Sequence, residues 1–332
     1  MNSIVPARQT FARHGTIRIR LIISALALIC CVVFRAGAAG FTLEESDRQL
    51  TILEAGKPVL TYNFGRVEPP AGVDVERYWR SSYIHPLYGL DGEIMTDDFP
   101  EDHYHHRGVF WTWPETMVGE RKIDVWTIVG AHQLFQRWLK KEASPDRVEV
   151  GVENGWFFDG DPKPRVLETI FFTAHPAQDT FRALDFHLKF TNVCEENVTF
   201  EGAKDKGYGG FSFRPNADNK PFSFLTAKGI VPEDALSFET PWASISWERK
   251  DGAGTSGIAM MQHPSNPGFP HPGWIFRHYG FLGVCWPHEQ THVLKPGESF
   301  ELKYRLLVQH NLDGEHALSD LFKQYMDESK KH

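Results

Sequence analysis

Apolar and polar residues alternate with a period of two along much of this 332-residue chain, and no other feature constrains its fold as strongly. Between positions 184 and 190 every second residue is Leu or Phe, and the residues between them are Asp, His and Lys. Positions 302–308 repeat the pattern after a Lys-Pro-Gly-Glu turn at 295–298. Such alternation is typical of a strand that buries one face and exposes the other. We therefore expect a chain built mainly from β-strands.

The remaining strands and turns predict an antiparallel arrangement. Residues 49–53 and 58–62 flank a Glu-Ala-Gly-Lys turn and are typical of a hairpin. Because strands are numerous and no helical pattern lies between them, a sandwich is favoured over a parallel α/β sheet. The expected fold class is therefore all-β, a large antiparallel β-sandwich. Further predicted strands are Val109–Trp113, Gln133–Lys140, Arg147–Val152, Val166–Thr173, Phe211–Arg214, Trp242–Trp247 and Ile258–Gln262.

One helix is expected, near the C-terminal end of the chain. From Glu315 to Lys331 apolar residues such as Leu318, Phe322 and Tyr325 recur at helical spacing. No internal repeat or low-complexity linker interrupts the sequence. Residues 40–332 are therefore predicted to form a single β-sandwich domain, which this C-terminal helix closes.

The first 39 residues have the composition of a secretory signal peptide. Four arginines and no acidic residue precede an apolar run from Leu21 to Phe34, and small residues follow at 36–40. The run has 14 residues, fewer than the roughly 20 that a membrane-spanning helix needs. We expect cleavage near Ala38 and export to the periplasm or the exterior. An uncleaved membrane anchor and lipidation of a cysteine in the run are the alternatives.

The charge balance argues against nucleic acid as a partner. The chain has 43 acidic and 35 basic residues, a net charge of −8, and loss of its basic N-terminal segment leaves it more acidic still. Phosphate binding needs a concentrated positive surface instead. No second apolar run approaches spanning length, so no membrane contact is expected after signal removal. Cys194 and Cys285 remain, either as one disulfide or as two buried thiols.

The densest group of chemically versatile side chains lies between His85 and Arg107. Four of the 16 histidines fall in this stretch, among several carboxylates. In an extended backbone His103 and His105 project to one side and His106 to the other. Neutral imidazole accepts a proton or binds a metal near neutral pH, and the guanidinium of Arg107 suits a carboxylate. Acid–base catalysis, a metal site and a polar loop without chemistry all remain open.

The metal alternative would use His103 and His105 with His85 or His263, a donor set that suits zinc or another transition ion. The absence of an HExxH spacing weakens it. The sequence thus predicts no firm cofactor and leaves a divalent metal as the one alternative. No GxSxG elbow, P-loop or dinucleotide fingerprint in its proper context is present, which disfavours serine-hydrolase and nucleotide-dependent chemistry.

Two later segments combine charged and aromatic residues with glycine or proline. Residues 204–214 contain three glycines, which allow close approach of a ligand or a sharp turn between strands. Residues 263–280 contain a proline-rich loop with either a functional or a structural role. Aromatic residues at predicted strand ends serve either packing or sugar stacking. The candidate binding residues are His85, Tyr88, Lys204, Tyr208, Arg214, His263 and Trp274.

Three stretches resemble the motifs of a known family. The stretch HPLYGLDGEIMTDDFPEDHYHHRGVFWTW resembles the Asp-His-Pro-His-His-Arg-Gly motif of the methane-oxygenase-PmoA-like family. The stretches FEGAKDKGYGGFSFRP and MMQHPSNPGFPHPGWIFRHYG are similar to its later motifs. The resemblance spans most of the mature chain. It implies a galactose-mutarotase-like supersandwich, a fold common among proteins that act on carbohydrates.

Together these observations predict an exported carbohydrate-active enzyme that acts on an oligosaccharide or a uronic-acid-containing sugar. A histidine of the 103–106 group would move a proton, and Arg107, Lys204 or Arg214 would neutralise a sugar carboxylate. One of the two candidate tyrosines would supply a second proton. Elimination by a lyase or dehydratase is slightly favoured over hydrolysis. The alternative is a non-catalytic glycan-binding protein that uses the same groove.

Overall fold

The computed structural model describes residues 40–312 and 314–330, and the predicted signal peptide, residues 1–39, lies outside them. The described strands, numbered along the chain, are β1 (Phe41–Glu45), β2 (Gln49–Glu54), β3 (Lys57–Asn63), β4 (Tyr83–Leu87), β5 (Val109–Thr112), β6 (Glu115–Val118), β7 (Arg121–Ile123), β8 (Ala131–Ala143), β9 (Val148–Phe158), β10 (Val166–Ala174), β11 (Phe181–Asn192), β12 (Val198–Glu201), β13 (Gly210–Phe213), β14 (Ser223–Thr226), β15 (Gly229–Ile230), β16 (Trp242–Glu248), β17 (Thr255–Gln262), β18 (Trp274–Arg277), β19 (Phe281–Val284), β20 (His292–Leu294) and β21 (Ser299–His310). The helices are α1 (Val75–Tyr78) and α2 (Glu315–Ser329), and a 3-10 turn covers Ala217–Asn219.

Within the described part of the chain, two large sheets contain most of the strands. One has eight strands in the order β1-β2-β3-β4-β5-β13-β19-β18, and the other has nine in the order β15-β14-β16-β17-β21-β11-β10-β9-β8. A small sheet follows the order β20-β12-β6-β7. Neighbouring strands run antiparallel, as in the long pair of β11 with β21. The predicted antiparallel β-sandwich with a C-terminal helix is therefore confirmed.

The alternation predicted most strands correctly, but some of the predicted strand ends are wrong. Strand β9 continues to Phe158, beyond the predicted end at Val152, because pairing with β8 and β10 keeps this stretch extended after its alternation is lost. Strand β18 (Trp274–Arg277) lies in a stretch that was expected to be a loop. Its extended backbone depends on pairing with β19, which is a tertiary contact.

The core lies between the two large sheets. Phe211 of β13 stacks on Tyr304 of β21 with ring centroids 4.7 Å apart, and it lies 5.0 Å from Phe186 of β11. Trp111 of β5 also reaches Phe186, at 6.2 Å. All four side chains are almost fully buried. Because aromatic rings bury large apolar areas, these contacts dominate the packing between the sheets.

Helix α2 packs on the outer face of the nine-stranded sheet. Its Leu318 and Tyr325 are buried in a cluster with Ala259 of β17 and Leu307 of β21. Among the described residues, no helix combines the length and the apolar character that crossing a membrane requires. Of the two thiol interpretations, the structure has both cysteines free, with Cys285 buried.

The eight-stranded sheet has a second buried face, turned away from the core, and this face positions the candidate site. Alternation assigns neighbouring residues to opposite faces: in β4 Ile84 joins the core while Tyr83 does not, and in β19 Leu282 joins it while Phe281 does not. The outward residues form a separate apolar cluster, which contains Tyr83, Phe110, Trp126, Ile275, Phe281 and Cys285.

Candidate functional site

The histidine-rich segment forms the long connection between β4 and β5. The amide of His103 donates to the carbonyl of Pro100 at 2.9 Å, and that of His106 donates to the carbonyl of His103 at 2.8 Å. These are consecutive turns, so the segment is not the extended backbone that was assumed for it. The rings do not project to opposite sides: the centroid of His106 lies 4.6 Å from those of His103 and His105.

His103 is the histidine best placed for acid–base chemistry. Its side chain is 33% exposed, and its Nδ1 lies 3.0 Å from Oδ2 of Asp102. Arg214 donates to the other oxygen of Asp102 at 2.6 Å. Burial alone would raise the pKa of Asp102, but the hydrogen bond and charge of Arg214, together with His103, hold it below its usual value. The carboxylate contacts Nδ1 without a well-aligned hydrogen bond, and Nε2 is the nitrogen left to accept a proton.

His105 and His106 are held in the neutral form. Burial, followed by the charge of Arg80, lowers the pKa of His105 to about 3. Burial, followed by His105, lowers the pKa of His106 well below its usual value. His106 is only 2% exposed and packs against Phe110 on the outward face of the sheet. His106 therefore has a packing role, with its ring against those of His103 and His105. His105 is half-buried beside His103.

The structure places Arg107 in the interior, where a substrate does not reach it. Its side chain is fully buried, and its Nε lies 3.3 Å from Oδ1 of Asp98. The guanidinium also donates to the backbone carbonyls of Tyr104, His106 and Tyr78. Burial raises the pKa of Asp98 to about 6, although the charge of Arg107 opposes the shift. Arg107 thus fixes the shape of the loop and is not positioned to bind a sugar carboxylate.

Arg214 is also buried, with 1% of its side chain exposed. It directly follows β13 on the outward face of the eight-stranded sheet, and its guanidinium lies 5.1 Å from the ring of Tyr279. Its Nε and Nη1 are buried without a hydrogen-bond partner. The contact that it does make, to Asp102, orients the carboxylate that orients His103. Arg214 is therefore a positioning residue.

His85 and Gly108 lie at the base of the loop. Nδ1 of His85 is 2.9 Å from Oγ1 of Thr96, and burial, followed by the charge of Arg107, lowers the pKa of His85 to about 4. A Cβ at Gly108 would collide with the carbonyl oxygen of Ile84, which explains the glycine of the His-His-Arg-Gly sequence. His85 thus anchors the loop as a neutral imidazole and does not join the cluster of His103, His105 and His106.

Tyr279 and Arg277, which are not among the predicted binding residues, complete the candidate site together with Tyr208, which is. Tyr279 stacks on His103 with centroids 5.0 Å apart. Arg277, 27% exposed, donates from Nη1 to the hydroxyl of Tyr208 and from Nε to Asp234, both at 2.8 Å. Burial, followed by Tyr208, raises the pKa of Tyr279 above its usual value. The phenol therefore carries its proton at neutral pH.

A signal for the missed residues was present in the sequence. Arg277 and Tyr279 interrupt an otherwise apolar run just before Gly280, where a turn joins β18 to β19. Polar side chains at such a turn suggest function, because loop residues carry less of the packing. In the sequence Asp102 is only one of several carboxylates, since no local pattern pairs it with Arg214, 112 positions away.

The other predicted residues lie apart from the histidine cluster. Lys204 is exposed in the loop before β13, and Tyr88 bridges to Ile94 at the start of the long connection. Trp274 is fully buried, and its Nε1 donates to the carbonyl of Thr240 at 2.6 Å, so no sugar stacks on it.

His263 belongs to a different part of the molecule. It follows β17 in the nine-stranded sheet, and its ring lies 5.6 Å from that of Tyr325 in α2. The structure therefore does not bring it to His103 and His105 as a third metal ligand. Across residues 40–312 and 314–330, no three His, Cys, Asp or Glu side chains are arranged to hold a metal ion.

A family model, described as a family of unknown function (DUF6807), matches residues 49–321. This match corrects the predicted resemblance: nothing points to the methane-oxygenase-PmoA-like family, and that assignment is wrong. No curated protein matches the chain.

Several solved structures of carbohydrate-active enzymes are similar to this chain in fold. The galactosidase domain of an α-galactosidase–sucrose kinase has 12% identity and a TM-score of 0.40, over 81% of this chain and 40% of that one. A heparan sulfate lyase from Pedobacter heparinus has 8% identity and a TM-score of 0.37, over 84% and 36%. A galactose-mutarotase-related enzyme from Lactobacillus acidophilus has 8% identity and a TM-score of 0.34, over 82% and 98%. This chain spans about two fifths of the galactosidase that it matches.

Proposed function

This chain belongs to DUF6807, a family of unknown function, and on that premise we propose that it is a carbohydrate-active enzyme that works by acid–base chemistry at His103. The observation that carries the proposal is the ordered series Arg214, Asp102 and His103, in which a buried guanidinium holds the carboxylate that orients a half-exposed imidazole. Such an arrangement is typical of a general base. We further propose export, on the composition of residues 1–39.

Tyr279 is the proposed proton donor. Its ring lies against that of His103, so one bound sugar can contact both side chains. Because its phenol stays protonated at neutral pH, it is suited to give a proton to a leaving oxygen. The base and the acid therefore come from different loops, β4–β5 and β18–β19, above the same face of the sheet.

Arg277 replaces Arg107, Arg214 and Lys204 as the proposed ligand of a sugar carboxylate. It is half-buried beside the ring of Tyr279, and no described residue accepts a hydrogen bond from its Nη2. A guanidinium in this position would neutralise the carboxylate of a uronic acid and make the adjacent C–H more acidic. An acidic sugar is therefore the substrate class that we propose, with half-buried aromatic rings such as Tyr279 available for stacking.

Elimination fits this arrangement better than hydrolysis. Glycoside hydrolysis mostly uses two free carboxyl groups, but Asp98 and Asp102 are each engaged by a buried arginine. In the proposed reaction, Nε2 of His103 removes the proton next to the sugar carboxylate. The C–H electron pair becomes the new C=C bond, the C–O bond to the leaving group breaks, and Tyr279 protonates the departing oxygen. The products are an unsaturated sugar and an alcohol or water.

The test is a mass-spectrometric screen of acidic and neutral oligosaccharides with the His103→Asn and Tyr279→Phe variants. Both variants should lower turnover by about 10²–10⁴-fold and keep the melting temperature, because each removes a proton-transfer group and little packing. His310→Asn is the matched control, because His310 also contacts a carboxylate, Glu93, at 3.0 Å, but lies on the other sheet. It should retain full turnover.

The products and the variants distinguish the alternatives. An unsaturated product that absorbs in the near ultraviolet supports elimination, whereas products heavier by one water indicate hydrolysis. Full activity of His103→Asn would refute the assignment of the base. Saturable binding without any product, unchanged in His103→Asn, would instead identify a glycan-binding protein.

A further inference from the structure

A groove lies where α2 crosses the outer face of the nine-stranded sheet, on the sheet opposite to the one that carries His103. Its volume is about 440 Å³, within the range of small-molecule sites. Strands β10, β11 and β21 line its floor, and α2 lines one wall. His263, which the proposed function leaves unused, is also part of the lining.

The acidic side chains of the groove are already occupied. Arg305 donates from Nε and Nη2 to Asp185 at 2.7 and 2.8 Å, and from Nη1 to Glu328 at 2.7 Å. Nε2 of His175 lies 2.8 Å from Asp185 as well. These contacts fix α2 to the sheet and use the carboxylate oxygens that would otherwise attract a cationic ligand.

Lys303 is the cation left unpaired. It lies two residues before Arg305 on the same face of β21, and no described residue provides a carboxylate within ion-pair distance or a hydrogen-bond acceptor for its ammonium. The imidazoles of His187 and His263 line the same groove, and the contact of His187 with Glu301 uses that carboxylate. This end of the groove therefore presents an ammonium without a direct ion pair, although the hydrogen bond of His187 and, to a lesser extent, the charge of Lys303 lower the pKa of the nearby Glu301.

Aromatic surface lies beside this charge. Phe171 of β10 is 36% exposed, which is unusual for phenylalanine, and its ring lines the groove. On the opposite wall Tyr325 contacts His263, with centroids 5.6 Å apart. An exposed ring next to an unpaired cation suits a ligand with an apolar C–H face and an anionic group, which are the two features of an acidic sugar.

We propose that this groove is a second binding site, for an acidic saccharide, in which Lys303 pairs with a sugar carboxylate and Phe171 stacks against the sugar ring. Binding here needs no proton transfer and makes no use of His103. The site would hold an acidic glycan on the sheet opposite to the proposed active site.

The experiment is acetylation footprinting of lysines in the full chain, read by peptide mass spectrometry. The probes are tetrasaccharides of galacturonate, glucuronate and mannuronate, each compared with its neutral counterpart. At saturation at least one acidic probe should slow acetylation of Lys303 by at least about fivefold, because pairing with a carboxylate keeps the amine protonated and only the neutral amine is acetylated. Lys189, on the same outer face, is the internal control and should react at an unchanged rate.

Two variants test the aromatic contribution. Phe171→Ala should raise the probe concentration that gives half-protection of Lys303 by about fivefold, because it removes the stacking surface. Leu139→Ala, at a similarly exposed apolar residue of β8, should leave it unchanged. Equal reactivity of Lys303 with and without every acidic probe would overturn the proposal, as would equal protection by the neutral probes. The readout is protection of Lys303 and not turnover. The proposal of a second binding site is therefore tested independently of the function proposed for His103.

Discussion

Two buried guanidinium groups hold the loop that carries the candidate site. Arg107 binds the carbonyls of Tyr104, His106 and Tyr78, and Arg80 donates to the carbonyl of His105 at 3.2 Å. Turns leave backbone carbonyls without partners, and a planar group with five donors satisfies several of them at once. At the residue scale, the buried arginines around this segment therefore shape the loop, and His103 remains the proposed base.

Arg107→Met tests this structural role. The change leaves Asp98 buried without its cation, and we expect it to lower the free energy of unfolding by about 3–5 kcal/mol in urea titrations. Arg137→Met removes a surface pair with Glu153, 65% exposed on the arginine side, and should have little effect. A variant as stable as the parent that had lost affinity for acidic sugars would instead assign Arg107 to the substrate.

At the scale of elements, one buried carboxylate links the two large sheets of the sandwich. Glu168 of β10 is fully buried and accepts hydrogen bonds from Gln133 of β8 and from Asn154 and Trp156 of β9. Ser82, which precedes β4 in the opposite sheet, also donates to it. The two carboxylate oxygens of Glu168 therefore accept hydrogen bonds from four donor side chains. The network links both sheets only while both oxygens are available as acceptors.

Glu168→Gln should therefore be destabilising although it preserves shape. The new amide group faces donors instead of acceptors, and we expect a loss of about 1–3 kcal/mol in the free energy of unfolding. Glu153→Gln on the neighbouring strand β9 is the matched control, because Glu153 contacts the exposed Arg137. Equal stability of the two variants would show that water already satisfies the donors around Glu168.

At the scale of the whole molecule, the buried histidines make stability depend on pH. The folded-state pKa values of His85 and His105, about 4 and about 3, lie below the value of about 6.5 in an unfolded chain. Their stabilisation is fully present above pH 6.5 and is lost as the pH falls through the folded values. Asp98 acts oppositely: its pKa of about 6 is raised, so its contribution is present below about pH 4 and is lost toward pH 6.

The two histidines outweigh the one carboxylate, so the protein should lose stability between pH 7 and pH 5. Each histidine should contribute about 2 kcal/mol to this loss at pH 5, as measured by urea unfolding across the range. In His105→Asn the difference in the free energy of unfolding between pH 7 and pH 5 should be smaller by about 2 kcal/mol. Leu139→Ala, which removes an exposed apolar side chain and no titrating group, should leave the slope unchanged. An identical slope in His105→Asn and the parent would mean that His105 titrates normally in the folded state.

The sequence by itself determined the fold class and pointed to the region of the candidate site. Period-two alternation indicates which face of a strand is buried, and the helical spacing after Glu315 indicates which face of α2 is buried. Both patterns are visible in the local sequence because burial selects apolar residues at regular intervals. Enrichment in histidine located the loop between His85 and Arg107. These features need only neighbouring residues, so they could be predicted from local pattern alone.

Only the tertiary structure decided which residues lie together in the candidate site. The pairing of β18 with β19 brings Tyr279 against His103, and the end of β13 brings Arg214 to Asp102, contacts between residues more than 100 positions apart. The same packing buries Arg107 and Trp274, which had looked like ligands in the sequence. Burial and long-range contact decide whether a polar side chain supports the structure or meets a substrate, and neither is a property of the local sequence.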